Sequence, residues 1–534
     1  MPFRAQPPGA RYYRSLGAYA HVGPELPVEL RRYRSRPYSY ARWREDEFNG
    51  HRGPGASAPP KTPRPQQVEG ARAIATAYKA GWRGFWLGDD MGVGKTGTAV
   101  LAAKAVCHLG GKRRILITVD RPAAITIPAW RDAVAAYGGD GGFEWLIMSP
   151  DQLGKIIAAN GRPKYRFDVV INDEAQQFRH LTAKRTGYMR RINRLTDAPG
   201  AAPFVISATA TLGHHPGEYT YLSALFAQIH HESPGAWTNL GARLVRSGLP
   251  LERGWEKGKW QWTDAAKSSQ ALQNEAVTTV RPWMDDTSPP VALHRRAAWG
   301  PAPVDGLPVE FTAEQWSAYD QEWGEFQRAM QLARTGRDTA RGRAAVTRFR
   351  QKASMLRVPQ TVDMVEATVQ AGNQVLVAVE FTSTAAKPIA DTLEERGMRV
   401  ARIFGGGDLE DERLQFQRGH APVVVFNTTS AINLQASEQL ADGSYASTTP
   451  RVGFFHQPRY SGIQARQTIG RAHRDGQVCP WNLLYAADTI EETAGRTMID
   501  RLLVTSTSAG GDTSTLGRIA RLFGADWLPE TVFE

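Results

Sequence analysis

A chain of 534 residues exceeds what one hydrophobic core usually serves, so two or three domains are expected. Its 65 Lys and Arg against 53 Asp and Glu leave a formal net charge of +12, which suits a polyanionic partner such as nucleic acid, a basic solubility surface being the plainer alternative. Two cysteines without metal-ligand spacing disfavour a disulfide framework and a zinc site, and no apolar run approaches a signal peptide or a membrane span, so a reducing, cytoplasmic compartment (nuclear in a eukaryote) is expected and membrane binding is not.

In chain order, residues 1–60 are rich in Arg, Tyr, Pro and Gly, as in Arg11-Tyr12-Tyr13-Arg14 and Arg31-Arg32-Tyr33-Arg34. Such a segment suits either an arm along a phosphate backbone with its rings on bases or a leader without a role. A Pro/Gly-rich linker follows, and then an Ala-rich helix with Gln67 at its start, whose amide could read an adenine edge.

Phe85-Trp86-Leu87 reads as a short buried strand running into Gly88-Asp89-Asp90-Met91-Gly92-Val93-Gly94-Lys95-Thr96-Gly97. Gly92 and Gly94 let the backbone turn around an anion, with Met91, Val93 and Gly97 completing the cradle. The helix starting near Lys95 aims free N–H groups at phosphate oxygens. Lys95 is then expected on the β- and γ-phosphates and Thr96 on a magnesium ion, which makes a site for ATP and Mg2+. The strict phosphate-loop pattern has a glycine where Asp89 stands.

Strand-like runs at 114–119 and 145–149 alternate with helices, one opening at Pro128-Ala129-Trp130, so a parallel sheet with helices on both faces is expected. The buried run at 168–172 ends in Asp173 and Glu174; the first is placed to hold magnesium through water, the second to polarise the attacking water. The strand at 204–208 leads into Ser207 and Thr209, hydroxyls that could sense the γ-phosphate. From 229 to 303 the chain is irregular and Trp-rich, as in Trp255-Glu256-Lys257-Gly258-Lys259-Trp260-Gln261-Trp262; packing of an insertion is expected ahead of nucleic-acid contact. A helical stretch over 312–356 carries Arg334, Arg337, Arg341, Arg343, Arg348 and Arg350, either a solvated face or a DNA-facing protrusion.

The second half restarts the alternation, with strands at 374–379, 423–426 and 452–455 and a helix over 385–396, but without a phosphate loop. Near its end, Arg471 and Arg474 lie three apart in Gln467-Thr468-Ile469-Gly470-Arg471-Ala472-His473-Arg474-Asp475-Gly476-Gln477. On one helix they would share a face and reach across a cleft to the γ-phosphate, an arrangement typically worth on the order of 10³ to 10⁵ in rate.

These stretches together resemble the superfamily-2 helicase and translocase ATPases, most closely the Swi/Snf-type branch. That branch carries Asp-Glu-Met-Gly-Leu-Gly-Lys-Thr, which residues 89–96 nearly repeat, including the missing first glycine. The Gln67 segment matches its adenine-reading motif, and Asp173-Glu174-Ala175-Gln176 its second motif, with Gln176 where His is usual. Residues 280–284 and 311–319 look like its path between motor domains, 428–437 like its fifth motif with Thr428, Thr429 and Ala431 in place of glycines, and 467–477 like its Gln-x-x-Gly-Arg-x-x-Arg-x-Gly-Gln.

The resemblance spans roughly residues 63–505. It implies an α/β protein of two RecA-like, doubly wound parallel-sheet domains with a helical and irregular insertion between them: 1–60 basic segment, 61–228 first domain, 229–358 insertion, linker and protrusion, 359–505 second domain, 506–534 tail. It further implies coupling through Gln176, Ser207, Thr209 and Gln467, and action on nucleic acid, double-stranded DNA foremost. A strand-separating DNA or RNA helicase and a binding scaffold with a vestigial ATPase are the alternatives. Recruitment would fall to the N-terminal segment or a protein partner, and the richness in Ala, Arg and Gly points to a bacterium or one of its viruses as the source.

Overall fold

The computed structural model describes residues 11–13, 18–20 and most of 60–528; in that last span 91, 121–122, 140, 195–200, 211, 214, 255–259, 268, 428–431, 441, 459 and 504–517 lie outside the description. Met91, the start of the fifth-motif stretch and the Trp255 to Lys259 run therefore fall outside the described residues. Of the first sixty residues, what is described before the linker is one antiparallel pair, β1 (Arg11–Tyr13) and β2 (Ala18–Ala20).

Runs of apolar residues without alternation form strands that are covered on both faces, and here they assemble two parallel sheets. The first contains β3 (Gly84–Leu87), β4 (Arg114–Thr118), β5 (Glu144–Met148), β6 (Val169–Asp173) and β7 (Phe204–Ala208). After a small antiparallel pair outside it, β8 (Leu251–Arg253) and β9 (Trp260–Trp262), the two-residue β10 (Ala292–Leu293) joins its edge. The second contains β11 (Val304–Val309), β12 (Gln374–Val379), β13 (Val400–Ile403), β14 (Val423–Asn427), β15 (Arg451–Phe455) and β16 (Trp481–Ala486). Both are six-stranded and wholly parallel, in the orders β10-β3-β7-β6-β4-β5 and β11-β16-β15-β12-β14-β13. These are two RecA-like, doubly wound units, and the stretch between them supplies an edge strand to each.

Helices α1 (Pro65–Lys79), α2 (Lys95–Gly110) and α3 (Ala123–Ala136) cover the first sheet. The helix expected to open at Pro128 begins at Ala123 instead, because burial of Ile125 and Ile127 holds its first turns to the protein despite the hydrogen bond that proline omits. The single helical stretch expected over 312–356 is two helices, α4 (Ala313–Thr335) and α5 (Thr339–Leu356). Arg337 takes φ 50° between them, and Asp338 caps α5 by accepting from Arg341 N. Then come α6 (Val358–Gln370), α7 (Lys387–Glu395), α8 (Leu409–Gln417), α9 (Gly462–Ile469) and α10 (Ile490–Leu503).

Alternate residues of the second sheet build two apolar layers, Leu376, Val424 and Phe455 on one face and Val375, Val377 and Phe454 on the other. Among the described tryptophans of the insertion, Trp237 and Trp262 are buried and Trp283 meets Trp237 and Phe226 edge to face, while Trp260 and Trp299 are half-buried. Of the cationic run, Arg350 is buried against Glu380 and the Tyr460 ring, while Arg334, Arg337, Arg341 and Arg348 are exposed. Residues Ile519, Phe523 and Leu528 pack with Phe326 and Phe349 of α4 and α5. No helix among the described residues is long and apolar enough to cross a membrane.

From β3 the chain passes over two strand positions to β4 and β5, then returns to fill them with β6 and β7. A crevice opens at the carboxyl ends where the order reverses. The register there sets Leu87 beside Ala208, Ala208 beside Asp173, and Asn172 beside Thr118.

Candidate functional site

The loop from Gly88 to Gly94 leaves β3 at this edge. Gly92 and Gly94 have φ of 83° and 104°, which side-chain-bearing residues rarely adopt. Gly94 caps α2 without any side-chain hydrogen bond, so no capping side chain engages the first N–H groups of that helix, a site suited to an anion. Lys95 donates to the carbonyls of Asp89 at 2.6 Å and Asp90 at 3.1 Å. Burial lowers its pKa, opposed by the charges of Glu174, Asp89, Asp173 and Asp90. Thr96 is half-buried beside it, while Val93 and Gly97 are buried.

Gln67 is engaged within the protein. Its Oε1 accepts from Arg64 N at 2.8 Å, and its Nε2 donates to Gly94 O at 3.3 Å and to the Tyr137 hydroxyl at 3.1 Å. A Cβ on Gly94 or Gly97 would lie 2.7 or 2.4 Å from that Nε2. The amide expected on an adenine edge thus braces the loop and accounts for a glycine at its end, Gly94, and another in the first turn of α2, Gly97.

At the end of β6, Asp173 Oδ2 accepts from Trp130 Nε1 of α3 at 2.8 Å. Burial, and then the Glu174 carboxylate, raise the Asp173 pKa, with the indole bond and Lys95 pulling the other way. Glu174 has φ 46°, a left-handed conformation that costs a non-glycine residue about 1–3 kcal/mol and that its surroundings must hold. Its Oε2 accepts from Gln176 Nε2 at 2.8 Å and, across the cleft, from Gln467 Nε2 of α9 at 3.4 Å. Two of the four coupling residues thus converge on one carboxylate oxygen. The other two do not join them there: Ser207 lines a small cavity with Arg83, Val205, Tyr221 and Leu225, and Thr209 bonds through its main chain to Leu87 O and Trp86 Nε1.

Arg471 and Arg474 do not share a helix. α9 ends at Ile469 with Gly470 as its C-cap, and farther on Asp475 and Gly476, at φ 53° and 81°, make a left-handed two-residue turn that pairs Arg474 with Gln477. The turn still brings Arg474 to the phosphate loop, for a Cβ on Gly92 would lie 3.0 Å from Arg474 Cβ and 2.7 Å from the Trp299 indole. The Nε of each arginine is buried with no hydrogen-bond partner, that of Arg474 lying 4.0 Å from Asp475 Oδ2. Burial lowers the Arg474 pKa, opposed chiefly by Asp475 and Glu438. Arg64 meets Asp475 at 2.9 Å, and His473 Nε2 lies 3.2 Å from Gly300 O.

The donor set fits a triphosphate with magnesium: a threonine hydroxyl and a carboxylate are hard oxygen ligands, and the lysine, the helix start and the arginine Nε groups are complementary to phosphate. Sequence reasoning missed Trp130, Tyr137, Arg295, Trp299 and His473. The oddity of a carboxylate at Asp89 was the one available signal, since a buried charge needs a partner.

No protein-family description and no curated protein matches this sequence. Among solved structures, the SWI2/SNF2 ATPase core of Sulfolobus solfataricus in complex with double-stranded DNA aligns at 14% identity over 86% of this chain and 95% of its own, with a TM-score of 0.33. The Hef helicase domain of Pyrococcus furiosus aligns at 12% identity over 81% and 97%, with a TM-score of 0.41. The Sulfolobus solfataricus core domain in a further structure aligns at 14% identity over 87% and 93%, with a TM-score of 0.32. Scores of this size leave the activity to be argued from the residues.

Proposed function

We propose that this protein is a nucleic-acid-stimulated ATPase of the Swi/Snf-type superfamily-2 kind, a motor that translocates on double-stranded DNA to remodel it or displace bound proteins. The observation that carries this reading is the bond from Gln467 to Glu174: the acid at the end of β6 is held by an amide of the other unit, in a cleft that also brings Arg474 to Gly92.

In this reading Lys95 and Thr96 hold the phosphates and magnesium ion, and Asp173 holds the ion through water. Glu174 orients the attacking water and takes its proton, while Arg471 and Arg474 meet the charge that develops on the phosphoryl oxygens. Bound MgATP supplies the phosphoryl group whose hydrolysis drives the cycle. Because Gln467, Arg471 and Arg474 ride on the second unit, closing the cleft completes the site and opening dissolves it, which moves the grip along a backbone. The charge of +12 supports a nucleic-acid track.

The test is steady-state ATP hydrolysis by wild type and Glu174→Gln without nucleic acid and with single strands, duplex, fork or RNA. Strong stimulation by duplex, lost in the variant, is the expected result. Stimulation by single strands or RNA alone would replace translocation with strand separation, and no hydrolysis under any condition would leave a binding scaffold.

A further inference from the structure

The phosphate loop is held from outside by a strap belonging to none of the motifs. Residues 291–297 run beside β3 and on past its end. Trp86 N donates to Val291 O at 2.8 Å, Gly88 N to Leu293 O at 2.7 Å, and Asp90 N to Arg295 O at 2.9 Å; Ala297 N then donates to Asp90 Oδ2 at 2.9 Å. Between these rungs Arg295 closes on Asp89, which is 0% exposed. Its main-chain N and Nε each lie 3.0 Å from Oδ1, and its Nη2 lies 2.5 Å from Oδ2. The remaining Nη1 donates to Gln66 O and to Glu69 Oε2, tying in the start of α1, where Gln67 braces Gly94. The strap therefore pins Asp89 and Asp90, the two residues whose carbonyls hold the Lys95 ammonium.

We propose that Arg295 is the positioning residue of the phosphate loop: acting through Asp89, it fixes where Lys95 rests and keeps the cradle open where position 89 has no glycine. The inference rests on the nucleotide reading above. A planar fork suits the role because it engages both carboxylate oxygens at once and still reaches Gln66, which a lysine ammonium cannot do. An arriving phosphate must draw Lys95 from two carbonyls, and it does so most easily when the loop stays in place. Arg295 then governs affinity for the triphosphate more than the rate of its hydrolysis.

The experiment measures MgATP binding by calorimetry, and KM and kcat for ATP with duplex DNA present, in wild type, Arg295→Lys, Arg295→Gln and the double variant Asp89→Asn/Arg295→Gln. Expected are a KM raised about tenfold or more in Arg295→Gln, a smaller rise in Arg295→Lys, kcat within about twofold, and recovery in the double variant, where the carboxylate that loses Arg295 is the exposed Glu69 alone and no buried one is left unpaired. General loosening of the fold would instead lower kcat through the active fraction and leave KM alone. Should Arg295→Gln fail to fold by circular dichroism, Arg295→Lys is read in the same way. Unchanged KM, or kcat lost at constant KM, overturns the proposal while wild type still binds ATP; wild type that binds none overturns the nucleotide reading and this inference with it.

Discussion

At the carboxyl end of β3 the chain turns through two left-handed glycines into a start of α2 that no side chain caps, and Lys95 rests there on the carbonyls of Asp89 and Asp90. At the same end of β12, the central strand of the second sheet, it turns through Glu380 and a single π-helical turn, Thr382–Ala386. There a network of paired groups surrounds the strand end: Glu380 binds Arg350 and Gln457, Gln457 binds Ser354, and His456 lies between Ser354 and Thr361, although Thr384 Oγ1 is buried without a hydrogen-bond partner. Arg357 and Glu491 make a further ion pair at 0% and 3% side-chain exposure. In the proposed function the first of these strand ends receives the nucleotide, while the second locks helices α5, α6 and α10 to a sheet. A unit whose strand ends are closed in this way can move as a body, which is what carrying Arg471 and Arg474 into and out of a site requires.

The largest effect that would sharpen this contrast is on rate. Arg474→Ala is expected to lower duplex-stimulated kcat by on the order of 10³-fold while the melting temperature stays near that of wild type. Equal loss of both would place Arg474 with the closed network instead. Next comes stability: Arg357→Met leaves Glu491 buried and uncompensated, so urea unfolding should report a loss of about 3–5 kcal/mol, with the KM for ATP unmoved.

Acid should discriminate too. Burial, and then the nearby Arg357 charge, hold the His456 pKa down at about 3, below its ordinary 6.5. The unfolded chain therefore takes up a proton near pH 6.5 that the folded one refuses until about pH 3, and stability is present above that window and falls through it as pH drops. The slope from this group is about 1.4 kcal/mol per pH unit, and His456→Gln should flatten it in unfolding measured between pH 7 and 4. Smallest is Gln467→Ala, which removes one long hydrogen bond to Glu174 and should slow stimulated turnover about fivefold, roughly 1 kcal/mol, with basal hydrolysis nearly unchanged.

The apolar runs made β3 to β7 of the first sheet and β12, β14 and β15 of the second legible, and the glycine loop, the acid pair and the two arginines stood out because each is a local pattern. Strands β11 and β16 went unread, and the other misses depend on distant partners. β10 has two residues and exists because it pairs with β3; β13 interrupts its apolar run with Arg402, whose guanidinium is tied to Glu394 and Asp391. Arg295 stands 206 residues from Asp89 in a His294-Arg295-Arg296 stretch with no periodicity. The placing of Arg471 and Arg474 on one helix failed, although Asp475-Gly476 was available as a local turn signal; the spacing of the arginines outweighed it.

The packing of residues 518–528 against α4 and α5 also has a temporal side. Phe523 closes an aromatic cluster with Trp323, Phe326, Phe349 and Tyr460, its ring 5.9–6.2 Å from each. During synthesis Trp323, Phe326 and Phe349 leave the ribosome well ahead of their cover, Tyr460 later; from Leu356 at the end of α5 to Leu528 the wait is on the order of 10–30 s at translation rates of about 5–20 residues per second. The nascent chain carries a bare aromatic surface for that interval, so a premature stop in the codons for 504–517 would release a polypeptide with both sheets encoded and its stickiest face permanently uncovered.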